Sequence, residues 1–587
     1  MNIIGKYKVF IPHRRTCWLA LLLIIVFTTI VYTPSFFHMG RSDQENYFAE
    51  TAQLNGFVQT VENTYSYSRQ RIFFAGDFQM FKPLYFVLLA AEKSVFGCNP
   101  FGWQVTSVIL HLLVVWQLFR LLYLIYPSFG AVVMSAFFAL MLMTQDMVTF
   151  QHMNICMVAH ILILESFIAF IKYCDSGQTA TKYFWRIFAC MSLACFIREF
   201  SLVYTVIIFF GLLVYGWFKF GSIKGWKLWS LLWFPIIIYT IWDVIDYIVR
   251  VKISYHTGQL VGSLLPVLKF YGLSWVGGVI PGVFNYHMPI FPGMRVVAGI
   301  LSPSEMIDIG KTNILIINAA WLMVFMLLLI GVIVRVCMQK GEKIFYGLKD
   351  PRILTGIMAL GCSLSYSVIV TWGRFQERGM ENLYYNMYYF YAPVFFNLIF
   401  GYTVFFSLMN FIKVRERRVW LGLFASILIL ITAWNAWANY QLNMELKEFS
   451  SPYISRQKIA GFSNYYLARR YNALGAISAA IDNYSQAFDY YNKTLLADPQ
   501  NEFVNFNLGV LYAKEKKYYE ALKYFNFALK SDVADKTGVY LQRGIVLINL
   551  RRYNDALMDI DRVLFLDPAN QDALRIKSLF KSPQPSQ

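Results

Sequence analysis

Long uninterrupted apolar runs constrain this chain most. A run near 20 residues crosses the hydrocarbon core of a bilayer as a helix, and a helix satisfies its own backbone groups where no water can. Such runs fall at about 17–34, 101–125, 129–145, 155–171, 184–197, 200–218, 228–247, 313–336, 352–371, 387–411 and 419–438. They predict an all-α fold class, with a polytopic membrane domain of about eleven spans over residues 1–440. The composition agrees: 57% hydrophobic and 15% charged residues in 587 is too apolar for a soluble enzyme.

A formal charge of +18 raises the question of nucleic acid. The Lys and Arg lie in short clusters between apolar runs rather than on one arm or face, so they set topology, and no nucleic-acid partner is expected. Counted from an inside N-terminus, alternate loops hold Lys172, Lys182 and Arg186, then Lys219, Lys224 and Lys227. Arg335, Lys340, Lys343 and Lys349 follow, then Lys413, Arg415, Arg417 and Arg418. Basic loops stay cytoplasmic, and an odd number of spans leaves the C-terminus outside. Preserving that alternation requires the apolar stretch 261–284 to be re-entrant or interfacial. Lys6, Lys8, Arg14 and Arg15 precede the first run with no small-residue cleavage signature, which predicts a retained anchor. The eight cysteines form no CxxC and avoid the C-terminal region, indicating neither a disulfide framework nor a zinc site.

The character of the chain changes after a polar bridge at 441–456. Leu508-Gly509, Tyr512, Ala521, Phe525 and Ala528 follow the tetratricopeptide (TPR) spacing. Gly475, Ala487, Tyr491 and Pro499 fall 34 residues earlier for the matching positions. Gly544 and Ala556 fall 35 residues later, and Pro568 completes the frame. Residues 457–587 are expected to form three TPR repeats, a soluble α-solenoid that either caps the domain or binds a partner.

The first external loop, about 35–80, opens with Ser42-Asp43-Gln44-Glu45. A carboxylate that close to lipid usually has a task or a partner. Asp43 fits two roles, a helix N-cap on Gln44–Leu54 or a chemical group. Arg374, Glu377, Arg378 and Glu381 have helical spacing, which suits a solvated ion-paired face. Arg198 and Glu199 are adjacent and could pair with each other. His111, within a run, suits interhelical hydrogen bonding. Asp243 and Asp246 lack a third ligand, so no metal site is expected.

Several motifs together resemble the GT-C superfamily of membrane glycosyltransferases. They are the acid after the first span, Lys82-Pro83-Leu84, Phe96-Gly97-Cys98-Asn99-Pro100-Phe101-Gly102 and Leu110-His111. Arg198-Glu199 matches the family's K/R-E pair, and Tyr384 to Pro393 resembles its tyrosine-rich segment. The layout of spans plus external repeats resembles the TPR-containing O-mannosyltransferases and their bacterial relatives. Two positions depart from the pattern: Asp43-Gln44-Glu45 replaces a paired acid, and Asp146, Gln151 and His152 stand where an acid often precedes the fourth span.

The resemblance implies transfer of a sugar from a polyprenyl-phosphate donor to an acceptor hydroxyl. Asp43 would be the base. Arg198 would grip the leaving phosphate, with Lys82, Arg374 and Arg378 behind it and Glu45 and Glu199 beside the substrates. No cofactor is implied. Membrane lipid and a protein or glycan acceptor, docked on the repeats, are the expected partners. A bacterial inner membrane is the expected location, with the N-terminus cytoplasmic and the repeats periplasmic, or luminal in a eukaryote. Two other functions fit the layout, a non-catalytic TPR membrane scaffold and an O-antigen ligase or polymerase. The chain has no P-loop, H-E-x-x-H or G-x-S-x-G element that would support other chemistries.

Overall fold

A computed structural model describes residues 14–37, 57–59, 83–141, 144–149, 154–223, 225–250, 267, 271, 348–374, 391–409, 414–460, 462–480, 483–499, 501–530, 536–568 and 570–581. Among them every regular element is helical, and the chain divides into two compact units with the main break after Phe449.

The membrane unit holds α1 (Arg14–Tyr32), α2 (Pro83–Phe96), α3 (Pro100–Ile125), α4 (Phe129–Leu140), α5 (Gln145–Thr149), α6 (Asn154–Asp175), α7 (Thr181–Ile197), α8 (Phe200–Phe220), α9 (Trp233–Arg250), α10 (Pro351–Arg374) and α11 (Tyr391–Met409). The long α12 (Val414–Ala460) follows. Local chemistry sets many of these boundaries. Pro83, Pro100 and Pro351 each open a helix, where a missing N–H costs nothing and the fixed φ suits the first turn. Pro34 ends the α-helical stretch of α1 by disfavouring helical geometry at Thr33. Gly221 closes α8 in the left-handed region, at φ 64°, with its N–H donated to Trp217 O at 2.9 Å.

Among the described residues six helices are long and apolar enough to cross a membrane: Arg15–Phe37, Pro100–Ile125, Asn154–Asp175, Phe200–Phe220, Pro351–Thr371 and Leu421–Gln441. The expected span at 129–145 stops at Leu140, because Met141 leaves helical geometry at ψ 137°. Twelve residues make a rod of about 18 Å, short of the ~30 Å hydrocarbon core. Tyr391–Ser407 is likewise a shorter apolar helix, and α7 has 17 residues. The expected span at 313–336 lies outside the described residues, as does 261–284 apart from Val267 and Tyr271. Residues 441–456, expected to form a bridge, are helical within α12.

Small residues let these helices approach closely. A Cβ on Gly211 of α8 would collide with Met358 of α10, and one on Gly356 of α10 would meet Thr403 of α11 at 2.8 Å. Such contacts matter in lipid, where apolar faces gain little by leaving the tails and close packing decides association.

Polar staples supplement the close packing. Asn435, Asn439 and Asn443 form a fully buried stripe at intervals of one helical turn on α12. Asn439 Nδ2 donates to Tyr32 Oη at 2.9 Å, and Asn443 Nδ2 donates to Val31 O at 3.2 Å, fixing α12 against the end of α1. Two ionic clusters are matched as well. Glu165 accepts from Arg120 at 3.0 Å and lies 3.1 Å from Arg186. Arg352 grips Asp175 through both nitrogens at 3.0 and 2.8 Å.

The second unit holds α13 (Phe462–Ala480), α14 (Tyr484–Ala497), α15 (Glu502–Lys514), α16 (Tyr518–Leu529), α17 (Lys536–Asn549), α18 (Tyr553–Leu566) and α19 (Gln571–Lys581). Its first six helices form three pairs with one register. Gly475 lies under Tyr491, Gly509 under Phe525 and Gly544 under Ile560, while Ala487, Ala521 and Ala556 are fully buried. The turns repeat too. Asn501 and Asn570, which follow Asp498-Pro499 and Asp567-Pro568 in the sequence, each cap the next helix, accepting from Val504 N and Ala573 N at 3.1 Å. Lys516 and Arg551 occupy the left-handed position of equivalent turns, at φ 61° and 58°.

Candidate functional site

Of the expected site residues, Asp43, Glu45, Lys82 and Arg378 lie outside the described residues. Arg374 is the last described residue of α10, and its side chain also lies outside the described residues. So do Gln151 and His152, and the side chains of Asp146, Asp243 and Asp246. Arg198 and Glu199 are described, and they stand in the turn between α7 and α8.

That turn is tight. The Arg198 backbone is extended, at φ −143° and ψ 123°, with its N–H donated to Ala194 O at 2.9 Å. Its carbonyl accepts from Ser201 N at 3.0 Å as α8 begins. Arg198 is therefore anchored at both backbone groups, and its side chain is carried inward, leaving the residue 7% exposed. The guanidinium lies over the Phe200 ring at 5.6 Å, and that ring meets Tyr366 of α10 at 4.7 Å. Tyr85 of α2 and Cys156 of α6 also lie within electrostatic reach.

No ion pair joins Arg198 to a described residue, and adjacent Glu199 is no exception. The pairing considered from sequence is therefore not made. A buried charge without a partner is costly; Glu165 and Arg352 are ion-paired, whereas Lys93 of α2, also buried, has no ion pair among the described residues. Among the described residues Arg198 is a buried cation with no ion pair, within electrostatic reach of the neighbouring Glu199 carboxylate.

Buried polar atoms without hydrogen-bond partners among the described residues lie within electrostatic reach of it or in its own turn. They include His160 Nδ1, Tyr204 Oη and Ser201 Oγ. His160 and Tyr204 both lie within electrostatic reach of Arg198, and Ser201 begins the same turn of α8. Native interiors leave few such atoms unsatisfied, so each calls for an explanation.

Rings hold these groups in place. His160 stacks on Tyr391 at 5.3 Å and 23° and meets Phe395 edge-on at 5.3 Å. Phe395 contacts Phe396 at 4.4 Å, and Phe396 meets Tyr204 at 5.0 Å. Tyr391 is itself fixed by His111, whose Nδ1 lies 2.8 Å from the Tyr391 hydroxyl and whose Nε2 lies 3.0 Å from Ala139 O. A carbonyl only accepts, so Nε2 carries the proton and Nδ1 accepts from the tyrosine. His111 is thus the interhelical hydrogen-bonder its place in an apolar run suggests.

A further buried ionisable group lies on α2. Glu92 accepts two hydrogen bonds from Asn154 Nδ2, at 2.7 and 2.9 Å, at the start of α6. Burial pushes its carboxyl up from 4.5 to about 8 despite the Asn154 bond. Sequence reasoning passed over Glu92, His160 and Tyr204. For the first two a signal was available, since ionisable side chains in apolar runs are functional candidates by default. Tyr204 had none, because tyrosine is common in such runs.

A guanidinium with no ion pair among the described residues, hydroxyls, an imidazole nitrogen and aromatic walls together suit an anionic ligand, which guanidinium binds well through paired N–H groups. No protein-family model matches the chain, and no curated protein or solved structure matches it either.

Proposed function

We propose that the chain is a membrane glycosyltransferase of the GT-C type, with about eleven spans and three C-terminal TPR repeats. It transfers a sugar from a polyprenyl-phosphate donor to an acceptor hydroxyl at the outer face of a bacterial inner membrane. The observation that carries this reading is Arg198, a buried cation without an ion-pair partner among the described residues.

In the reaction the acceptor oxygen attacks the anomeric carbon as the bond from that carbon to the phosphate oxygen breaks. Asp43 takes the hydroxyl proton. The phosphate leaves with the bonding electrons, and its added negative charge falls to Arg198, supported by Lys82, Arg374 and Arg378. Glu45 and Glu199 orient substrate groups. The repeats recruit the acceptor or a protein that delivers it. The register shared by Gly475, Gly509 and Gly544 supports the TPR assignment.

The test uses the full chain in nanodiscs with a polyprenyl-phosphate sugar and an acceptor extract, read by mass spectrometry of sugar transfer. Asp43→Asn and Arg198→Ala should each abolish transfer and leave membrane insertion intact. Full activity in Asp43→Asn would remove the base assignment. A wild-type protein that consumes no lipid-linked sugar, yet captures envelope proteins through the repeats, would favour the scaffold.

A further inference from the structure

We propose that His160 and Tyr204 are direct ligands of the phosphate group gripped by Arg198, so that the site binds a phosphate ester through side chains from α6, α8 and the turn between α7 and α8. This inference rests on the reading of Arg198 as a phosphate-binding residue.

The argument starts from unmet hydrogen bonds. His160 is 7% exposed and Tyr204 1% exposed, yet His160 Nδ1 and Tyr204 Oη have no hydrogen-bond partner among the described residues. Each leaves a polar group stripped of water, a loss unless something else meets it. Both stand within electrostatic reach of one guanidinium. A phosphate ester presents acceptor oxygens in several directions, so it can satisfy the guanidinium, the phenol and an imidazole N–H together.

The imidazole is also held ready to do so. Its ring is stacked on Tyr391, and Tyr391 is tied through His111 to Ala139 O on α4. Such a chain fixes the plane of His160 before any ligand arrives, which lowers the ordering cost of binding. A histidine serving packing alone would gain nothing from an unpartnered Nδ1, since phenylalanine could fill the same stack. The assignment therefore gives Nδ1 the proton, donated to a phosphate oxygen, with the Tyr204 hydroxyl donating to the same group.

The experiment measures binding of polyprenyl monophosphate to the purified full chain in detergent, with melting temperature as a check on folding. His160→Phe keeps the ring stack and removes both nitrogens. Tyr204→Phe removes only the hydroxyl. Each should weaken binding roughly tenfold or more, as expected for a hydrogen bond to a charged group. His160→Asn places an amide N–H near the Nδ1 position and should recover much of the loss, whereas His160→Gln should not. Arg198→Ala should abolish binding.

Wild-type-like binding by His160→Phe and Tyr204→Phe, alongside loss in Arg198→Ala, would overturn this inference and leave the function standing. Unchanged binding in Arg198→Ala would overturn both. Competition by inorganic phosphate at similar concentrations would support the site with a free anion as its ligand. Competition only by the polyprenyl ester would support it with the lipid headgroup.

Discussion

In the membrane unit His111 meets Tyr391 across 280 positions of sequence and Asn439 meets Tyr32 across 407. In the repeat unit Gly475, Gly509 and Gly544 each accept a side chain from the very next helix. The contrast follows from solvent. Lipid tails are as apolar as leucine, so apolar faces do not drive spans together, and polar pairs with small residues select the partner. In water, burying Tyr491, Phe525 and Ile560 contributes roughly 1.5–3 kcal/mol each, and one local pattern can be reused. The membrane unit is specified by unique long-range pairs and the repeat unit by a repeated short-range one.

The largest expected effect that separates the units is a response to pH. Glu92 titrates near 4.5 when exposed and near 8 in the folded chain, raised mainly by burial. Between those values the folded protein keeps a proton that the unfolded chain has released. This contribution to stability is complete below about 4.5 and is lost as pH rises through about 8. Every tryptophan precedes residue 450, so tryptophan fluorescence follows the membrane unit alone within the intact chain. Its thermal midpoint should fall across that window, and Glu92→Gln should flatten the curve. A wild-type midpoint that does not move would show Glu92 ionised and matched in the fold.

A smaller loss is expected from the ion pair inside the third repeat. Arg543 Nε and Nη2 donate to Asp559 Oδ2 and Oδ1 at 2.8 and 2.7 Å, and Asp559 is buried. Asp559→Asn should cost about 2–3 kcal/mol, measured by urea unfolding of the full chain in detergent under far-UV circular dichroism. Tryptophan fluorescence should not move with it, because the change is local to the repeats. Movement of both signals together would mean the units unfold as one.

The glycine positions grade the repeated contact. A Cβ on Gly509 would meet Phe525 at 2.6 Å, whereas one on Gly544 meets Ile560 at 3.2 Å. Gly509→Ala should cost about 1–3 kcal/mol by overpacking and Gly544→Ala less, in the same urea titration. Equal costs would show that Phe525 can swing aside, and that the register is held by the turns instead.

These differences also explain what could be read from the sequence. Repeats were legible because each contact recurs at a fixed interval, so Gly509 and Phe525 identify Gly475 and Tyr491 without any coordinates. Six apolar runs coincide with helices able to cross a membrane, since length and composition alone decide that. The run at 129–145 did not, because its break at Met141 depends on backbone geometry that hydropathy does not register. Arg198 stood out as a charge between two apolar runs. Tyr204 did not, because its open hydroxyl becomes visible only when α8, α10 and α11 are assembled around it. The stripe Asn435, Asn439 and Asn443 could have been noticed, as three amides one turn apart in an apolar helix need partners. Which partners they find, hundreds of positions away, is a property of the packed unit.

The smallest effect tests the comparison itself. Asn439 donates to Tyr32 Oη, and Asn443 Nδ2 donates to both Asn439 Oδ1 at 3.0 Å and Val31 O. If lipid made each such bond strong, losing one would be ruinous. In a bilayer, however, the separated helices also find partners for their polar groups, and measured pairs average about 0.6 kcal/mol with a maximum near 1.7. Asn439→Leu, Tyr32→Phe and the double variant should therefore show a coupling of about that average, read by the tryptophan-monitored midpoint. A coupling as large as the loss in Asp559→Asn would mean that single polar pairs in this unit stabilise as well as select. A coupling near zero would leave the glycine contacts at Gly211 and Gly356 to hold the spans, making the two units alike in what stabilises them and different only in how far apart in sequence the partners lie.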